Sequence, residues 1–214
     1  MRFFGRARIE PFLSKIDNQR LRDIQQRYAG SSDRYAKYAD VEHWLKINIP
    51  RVRELKLDRS PPKQILDLGC GAGFFLFLAK QSGHKCLGLD VGDFPLSNEL
   101  IGLFGLERVT WRIRAFQPLP EFGRKFDLIT GFSGAFNRSE DESRGWNPEE
   151  WRFFLDDLDR HLNPGGEILV EINSGKDQRY FPVGVRDFFL KRGARVDGER
   201  VYLKHGGTTS VSSA

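Results

Sequence analysis

The chain has 214 residues, of which 39% are apolar and 29% are charged, a balance typical of a globular protein with one full hydrophobic core. Its two cysteines are too few for a disulfide framework, so a reducing cytosol is the expected setting. No apolar stretch approaches membrane-spanning length, and the residues after Met1 lack the apolar region of a secretory signal. We therefore expect a cytoplasmic protein.

The net charge of +5 is concentrated in the N-terminal quarter. Residues 1–63 contain 15 Lys/Arg against 8 Asp/Glu, whereas the remainder contains 19 against 21. This surplus fits attraction to an anionic partner such as RNA, a lipid surface or a phosphorylated substrate. Because acidic residues interleave with the basic ones, solvated helix faces explain the same pattern, and both explanations stay open.

The first elements in chain order are predicted to be helical. An irregular arm is expected over residues 1–16 and a short helix over Asn18–Tyr28. The turn residues Gly30–Asp33 would end that helix and cap a second one. Apolar residues at helical spacing predict this second helix from Arg34 to Leu57, with a break or kink at Pro50.

A glycine-rich turn follows Pro61-Pro62. The apolar run Gln64–Leu68, glycines at positions 69, 71 and 73, and a helical pattern over Phe74–Gln81 predict a buried strand, a tight turn and a helix. Glycines let a backbone approach a ligand closely, and the N-terminus of a helix attracts anions. A dinucleotide fingerprint would need glycine or alanine at position 74, where this chain has Phe.

The second strand is predicted over Lys85–Leu89 and leads to Asp90, which lies 21 positions after Gly69. An acid at the end of this strand can accept both ribose hydroxyls of an adenosine. A helix or turn cap is the alternative role, but the joint spacing favours a ribose contact.

The remaining elements alternate between helices and strands, which is typical of an α/β sheet. They are helices over 95–104, Pro148–His161 and 183–192, strands over 109–113, 126–130, 167–172, 194–196 and 200–203, and a low-complexity tail over 206–214 that we expect to be disordered. The polar run 139–145 is expected to be a surface loop.

Four ordered signals resemble the class I S-adenosylmethionine-dependent methyltransferase family. They are Asp67–Gly73, Asp90, Phe126–Ile129 and Leu162–Gly166, and the resemblance covers roughly residues 60–205. It implies a Rossmann-like open seven-stranded sheet that is mostly parallel, with an antiparallel C-terminal strand, helices on both faces and an N-terminal helical extension. The expected domains are a helical extension or lid over 1–60, a cofactor-binding domain over 61–205 and the tail over 206–214.

The resemblance also implies S-adenosylmethionine as cofactor, with the glycine turn around its methionine end and Asp90 on its ribose. The expected cofactor-binding residues are Asp67, Gly69, Cys70, Gly71, Gly73, Asp90, Val91, Ala115, Phe116 and Phe132. Many members of the family carry an acid after strand three, where this chain has Arg114-Ala115-Phe116. Adenine is therefore expected to rely on apolar contacts from Val91 and Phe116, with Gln117 as a polar contact.

Two residues at the ends of strands are candidates for catalysis. Glu171 at the end of strand five is the preferred base or orienting group. Asn137 after strand four can orient an acceptor hydroxyl but cannot act as a base. Among the histidines, only His43 lies in a segment expected to reach the pocket, and no cluster of ligands predicts a metal site.

The acceptor is the open question. Gly131–Gly134 departs from the Asn/Asp-Pro-Pro-Tyr motif of amino-methylases, and neither Cys70 nor Cys86 lies where cytosine-C5 methylation needs a nucleophile. We expect O- or N-methylation of a small molecule, because the aromatic N-terminal residues Tyr28, Tyr35 and Tyr38 could roof an apolar pocket, although core packing explains them too. The alternatives are methylation of RNA or another macromolecule guided by the basic N-terminal region, and a non-catalytic cofactor-binding protein.

Overall fold

The structure is a computed structural model that describes residues 9–134, 136–138, 144–173 and 180–205. The strands in these residues are β1 (Gln64–Leu68), β2 (Lys85–Asp90), β3 (Glu107–Thr110), β4 (Phe126–Gly134), β5 (Leu162–Ile172), β6 (Arg195–Asp197) and β7 (Arg200–Lys204). The helices are α1 (Glu10–Leu13), α2 (Asn18–Tyr28), α3 (Val41–Glu54), α4 (Phe74–Gln81), α5 (Pro95–Leu103), α6 (Pro148–His161) and α7 (Val185–Lys191).

The strands form a seven-stranded sheet in the order β3-β2-β1-β4-β5-β7-β6. β3 is parallel to β2, and β4 is parallel to both β1 and β5. β7 runs antiparallel to its neighbours β5 and β6. The predicted α/β fold, with a mostly parallel sheet and an antiparallel C-terminal strand, is therefore confirmed.

The chain divides into two compact units. Unit 1 combines the residues up to Pro62 with Cys70–Thr110, and unit 2 combines Lys63–Gly69 with the residues from Trp111 onward. The N-terminal helices therefore belong to the same unit as Asp90 and most of the glycine turn.

In unit 1, α2 has the bounds predicted from the sequence. The side chain of Asp17 caps it by accepting hydrogen bonds from the N–H groups of Gln19 and Arg20, both at 3.0 Å. At its other end, Arg27 forms an ion pair with Glu99 of α5, and the Tyr28 hydroxyl donates to the same carboxylate at 3.0 Å. These contacts hold α2 against α5.

The predicted helix over Arg34–Leu57 is shorter in the structure. A 3₁₀ turn covers Ala36–Ala39, and α3 starts only after Asp40, whose side chain accepts a hydrogen bond from the N–H of His43 at 3.0 Å. The expected break at Pro50 is absent, because α3 continues to Glu54. A proline removes one backbone donor, whereas the buried stripe Val41, Leu45, Ile49 and Val52 keeps packing on both sides of it.

In unit 2, the observed β5 begins five residues earlier than predicted. The sequence Asn163–Gly166 was expected to end α6, but it belongs to the strand, and Leu162 pairs with Phe126. The Asn163 side-chain amide donates to the Asp127 carboxylate at 2.7 Å. A Cβ on Gly166 would lie 2.9 Å from the carbonyl oxygen of Asn163 and 3.1 Å from that of Phe126, so this close pairing requires glycine.

The other predicted elements agree within a few residues. β1 and α4 have the predicted bounds, whereas β3 ends at Thr110, three residues before its predicted end. The predicted cap of α6 is present as a capping box, in which Asn147 and Glu150 exchange side-chain and backbone hydrogen bonds. The first eight residues of the expected arm, most of the expected loop (139–143) and the expected tail (206–214) lie outside the described residues. Within the described residues, no helix combines the length and the apolar character needed to span a membrane.

Candidate functional site

The glycine turn has the backbone that its sequence predicts. Gly69, Gly71 and Gly73 have φ angles of +67°, +54° and +78°, in the left-handed region that costs other residues energy. Gly73 is also confined by packing, since a Cβ there would lie 2.5 Å from Leu106 and 2.7 Å from Ile101. A Cβ on Gly71 would meet no heavy atom within 4 Å, so open space lies beside the middle of the turn.

Asp90 is hydrogen bonded to this turn. One of its carboxylate oxygens accepts a hydrogen bond from the N–H of Gly71 at 2.9 Å, and the other lies 3.5 Å from the N–H of Gly92. The N–H of Cys70 donates to the carbonyl oxygen of Leu89 at 3.2 Å, which fixes the turn against the end of β2. The part of the glycine turn from Cys70 onward and the acid of β2, both predicted to bind the cofactor, therefore lie together in unit 1.

An aromatic cluster from the N-terminal region packs beside this pair. It consists of Tyr35, Tyr38, Trp44, Phe74 and Phe94. Phe74 is the residue directly after the glycine turn, and its ring lies 6.1 Å from that of Trp44 and 6.3 Å from that of Tyr38. Tyr35 contacts Phe94 with ring centroids 3.8 Å apart.

Tyr38 is half-buried and lies close to the charge of Asp90. Burial raises the pKa of its phenol above the ordinary value, and the neighbouring Tyr35 and the Asp90 carboxylate raise the pKa further. The hydroxyl group of Tyr38 therefore stays protonated at neutral pH and keeps a donor beside the glycine turn.

Two of the three tyrosines proposed from the sequence as pocket residues, Tyr35 and Tyr38, belong to the aromatic cluster. The third, Tyr28, instead donates its hydroxyl proton to Glu99, which gives it a role in docking α2. Trp44 was missed because it falls outside the apolar stripe Val41, Leu45, Ile49 and Val52. Its position three residues after Val41, on the adjacent flank of α3, was the available signal.

In unit 2, Asp67 is buried and faces β4. Its carboxylate accepts a hydrogen bond from the Thr130 hydroxyl at 2.7 Å, and Thr130 is its register partner in the parallel ladder. The contact gives this predicted cofactor residue a structural role within unit 2, and its role toward a cofactor stays a prediction.

Asp127 has a structural role that the sequence reasoning missed. Its two carboxylate oxygens accept from the backbone N–H of Gln64 at 2.8 Å and from the side-chain amide of Asn163 at 2.7 Å. The acid in Phe126–Ile129 thus joins the beginnings of β1, β4 and β5. No local pattern reveals such a role, because its partners lie more than thirty residues away in the chain.

The predicted adenine contacts have different environments. Phe116, in unit 2, has a left-handed φ of +57° and is 57% exposed, and its ring packs at 5.8 Å from that of Phe153 in α6. A bulky residue in this backbone region is strained, which is common at functional sites. Ala115 and Phe132 of unit 2 and Val91 of unit 1 are half-buried.

The two candidate catalytic residues are both enclosed in unit 2. Glu171 forms an ion pair with Arg200, with 3.3 Å between Oε2 and Nε, and the two residues are register partners on β5 and β7. Asn137 is 6% exposed, and its carbonyl oxygen accepts from the N–H of Trp146 at 2.9 Å. Their catalytic roles stay predictions.

The histidines lie in three different environments. His43 is exposed beside Trp44. His84 is buried and contacts the carbonyl oxygen of Leu57 at 2.8 Å through Nε2. Burial lowers the pKa of His161 below 6.5, although the charge of Asp157 partly opposes this shift.

Comparisons with known proteins agree with this fold. No family model matches the chain. The PH0226 protein from Pyrococcus horikoshii has the same fold, with a TM-score of 0.51 over 74% of this chain and 88% of that one, at 18% identity. Two curated proteins, both called tRNA U34 carboxymethyltransferase, align with the chain. That of Idiomarina loihiensis is 26% identical over 158 residues, and that of Nautilia profundicola is 26% identical over 111.

The chain has the fold of the class I S-adenosylmethionine-dependent methyltransferases. The predicted family resemblance agrees with this fold and with the transferase names of the curated relatives. The matched regions cover 71% and 51% of this chain but only 45% and 34% of the two relatives, so the chain spans less than half the length of the curated relatives that it matches.

Proposed function

We propose that the chain binds S-adenosylmethionine in unit 1 and directs the transfer of its methyl group to an RNA acceptor. The hydrogen bond from Gly71 to Asp90 supports the cofactor half of this proposal most directly. It joins the turn that would hold the amino-acid end of the cofactor to the acid that would hold its ribose.

The residues at this turn suit the cofactor. The open space beside Gly71 leaves room for a ligand next to the backbone. Each oxygen of the Asp90 carboxylate has two lone pairs, and the N–H groups of Gly71 and Gly92 occupy two of the four, so capacity remains for ribose hydroxyls. The N-terminus of α4 follows the turn directly, and the positive end of its helix dipole suits the carboxylate of the methionine moiety.

When bound, the sulfonium cofactor supplies an electrophilic carbon for in-line displacement by a nucleophile, with a neutral thioether as the leaving group. The residues of the chain would hold the reactants in line and exclude water, which supplies much of the acceleration of such a reaction. Tyr38, Trp44 and Phe74 provide apolar surface next to the turn for this purpose.

The RNA acceptor is supported by two independent observations. The curated relatives reported above are tRNA U34 carboxymethyltransferases. The first 63 residues carry the basic surplus that a polyanionic substrate would attract. These observations favour the RNA alternative over the small-molecule acceptor preferred from the sequence. The cytosolic setting expected from the low cysteine content stays part of the proposal.

A small-molecule acceptor is the second candidate, and the aromatic cluster favours it. Five rings next to Asp90 and the glycine turn form the kind of apolar lining that small-molecule pockets use. The same rings also suit a nucleobase, so the aromatic cluster alone does not exclude RNA.

A transfer assay separates these acceptors. The full chain is incubated with S-adenosylmethionine and unmodified tRNA transcripts, and the digested nucleosides are analysed by mass spectrometry, which detects the added mass of a methyl group. We expect a modified nucleoside and stoichiometric S-adenosylhomocysteine. If the chain binds S-adenosylhomocysteine but modifies no nucleoside, the RNA half of the proposal is wrong, whereas the cofactor half survives.

The same assay tests Glu171. The variant Glu171→Gln keeps the shape of the side chain and removes its charge, so loss of turnover with unchanged cofactor affinity is expected if Glu171 is the base. Glu167→Gln is the matched control, because Glu167 lies on the same strand and also pairs with a cation, Lys204. Unchanged turnover in Glu171→Gln would remove Glu171 from the mechanism.

A further inference from the structure

Two cations of the N-terminal region lie over the rings of the aromatic cluster. The guanidinium carbon of Arg34 is 4.6 Å from the centroid of Tyr35. The ammonium nitrogen of Lys37 is 5.4 Å from the centroid of Tyr38 and 5.6 Å from that of Trp44. All five residues fall between positions 34 and 44, around the 3₁₀ turn.

These two cations differ from other basic residues nearby. Arg27 is paired with Glu99, and Lys46 is paired with Glu42. Within the described part of the chain, neither Arg34 nor Lys37 lies within 4 Å of a carboxylate, and both are exposed. Arg34 also donates a hydrogen bond to the Tyr35 hydroxyl at 2.5 Å. The positive charge of this segment is therefore directed at aromatic residues and solvent instead of at an acidic partner.

The acidic residues of this segment accept hydrogen bonds from the backbone and do not pair with Arg34 or Lys37. Asp33 accepts a hydrogen bond from the backbone N–H of Tyr35 at 2.9 Å, and Asp40 accepts one from the N–H of His43. Both carboxylates stabilise the turns around the 3₁₀ segment. The turn thus holds Arg34, Tyr35 and Lys37 in fixed positions on one side of the aromatic cluster.

We propose that Arg34, Tyr35 and Lys37 form a stacking platform for a single-stranded segment of the RNA acceptor. This inference rests on the proposed function and names the surface that would carry out acceptor recognition. Proteins that bind single-stranded nucleic acid combine aromatic faces, on which bases stack, with cations that contact the phosphates. An exposed cation over a ring is a contact that a nucleobase replaces readily, after which the cation is available to the adjacent phosphate.

The location of the platform fits this role. Tyr35 packs against Phe94 and lies 6.1 Å from Tyr38, whose phenol is close enough to Asp90 to feel its charge. A base held on Tyr35 would therefore lie near the end of unit 1 that is proposed to bind the nucleoside of the cofactor. An acidic peptide would use the cations but gain nothing from the ring faces, which makes RNA the better fit.

The test measures binding of a fluorescent oligouridylate to the full chain by anisotropy, with an abasic oligonucleotide of equal charge as matched ligand. The double variant Arg34→Gln/Lys37→Gln is expected to bind oligouridylate about tenfold more weakly, and the slope of log affinity against log salt should fall by about 1.4 if two phosphate contacts are lost. Tyr35→Leu should lower the affinity for oligouridylate at least about fivefold and change the affinity for the abasic ligand little, because only bases stack on the ring.

Three controls make the result decisive. Lys46→Gln/Arg53→Gln removes the same charge from exposed positions on α3 and should change the affinity less than about twofold. Tyr35→Trp keeps an aromatic face and should restore binding. Affinity for S-adenosylhomocysteine should be unchanged in the two double charge variants, and its absence in the unmodified chain would instead contradict the proposed function.

The platform proposal is wrong if both double variants weaken binding equally, or if Tyr35→Leu lowers the affinity for the abasic ligand as much as that for oligouridylate. Equally tight binding of an oligoglutamate peptide, with the same loss in the Arg34→Gln/Lys37→Gln variant, would assign the surface to acidic proteins and also contradict the proposal.

Discussion

At the scale of single residues, Asp90 combines a structural and a proposed ligand-binding role. Its carboxylate accepts a hydrogen bond from the N–H of Gly71 at 2.9 Å, and this contact keeps the glycine turn at the end of β2. A turn cap and a ribose contact were alternative explanations from the sequence. The structure makes them compatible, because a carboxylate can accept several hydrogen bonds at once.

The glycines of the turn have separable roles that mutation can distinguish. Gly71→Ala should lower the free energy of unfolding by only about 1 kcal/mol through backbone strain, yet it should weaken S-adenosylhomocysteine binding, because its methyl group enters the open space beside the turn. Gly73→Ala adds a steric clash with Leu106 and Ile101, so a loss of about 2–4 kcal/mol is expected.

Urea unfolding and calorimetric titration of the two glycine variants measure both quantities. A larger loss of stability in Gly71→Ala than in Gly73→Ala would contradict the packing argument. Unchanged affinity in Gly71→Ala would show that the open space beside the turn is not used by the ligand.

At the scale of elements, the end of α6 gives the fold a predicted pH dependence. His161 is the last residue of this helix, where a helix dipole favours the charged form by roughly 0.3–1 kcal/mol. Burial nevertheless lowers the pKa of His161 below its ordinary 6.5, and its Nε2 atom lies 3.8 Å from Asp157. Desolvation therefore outweighs both favourable charge interactions.

The sign of the effect follows from linkage. Because the pKa of His161 is lower in the folded chain than in the unfolded one, its contribution to stability is complete above about pH 6.5 and is lost as the pH falls through the folded pKa. The hydrogen bond from Arg144 lowers the pKa of Glu150 below 4.5, so that carboxylate loses its contribution only in a more acidic range.

Unfolding experiments between pH 7 and pH 5 test this prediction. We expect the free energy of unfolding to fall over this range in the unmodified chain and to fall less in His161→Leu. His43→Gln is the matched control, since His43 is exposed and should leave the slope unchanged. Equal slopes in the unmodified chain and His161→Leu would contradict the assignment.

Local signals predicted some elements well and missed others for a physical reason. α2 could be placed from the cap at Asp17, and α4 from the glycine turn before it and Ser82-Gly83 after it, because those signals lie next to the helix ends. The start of β5 could not be placed from local signals, because it depends on the hydrogen bond from Asn163 to Asp127 and on the close approach of Gly166 to Phe126. Contacts of this range leave no periodic pattern in the sequence.

The residues of the candidate site also divide into those that local signals predicted and those that depend on distant contacts. The turn and Asp90 were predicted because family spacing and glycine chemistry both act locally. The exposed and left-handed Phe116, the pairing of Glu171 with Arg200 and the position of Trp44 beside Phe74 required three-dimensional contacts. The acceptor class also could not be read from the sequence, because a ring cluster with two cations suits both a small aromatic molecule and a nucleobase.

At the scale of the whole molecule, charge and cofactor chemistry are separated along the chain. The basic surplus lies in residues 1–63, and the glycine turn and Asp90 lie in the near-neutral remainder. Unit 1 nevertheless contains Asp90, Gly71 and the N-terminal helices together. This arrangement is what an enzyme needs if a polyanionic acceptor is to be attracted to the region that binds the cofactor.

The central claim is that unit 1 binds a sulfonium nucleoside between the glycine turn and Asp90. Calorimetric titration of the full chain with S-adenosylhomocysteine tests it directly, with Asp90→Asn as the variant and Asp93→Asn, an exposed acid of the same segment, as control. We predict saturable one-to-one binding that weakens at least about tenfold in Asp90→Asn and is unchanged in Asp93→Asn. Absence of binding to the unmodified chain, or equal affinities in the two variants, would contradict the account.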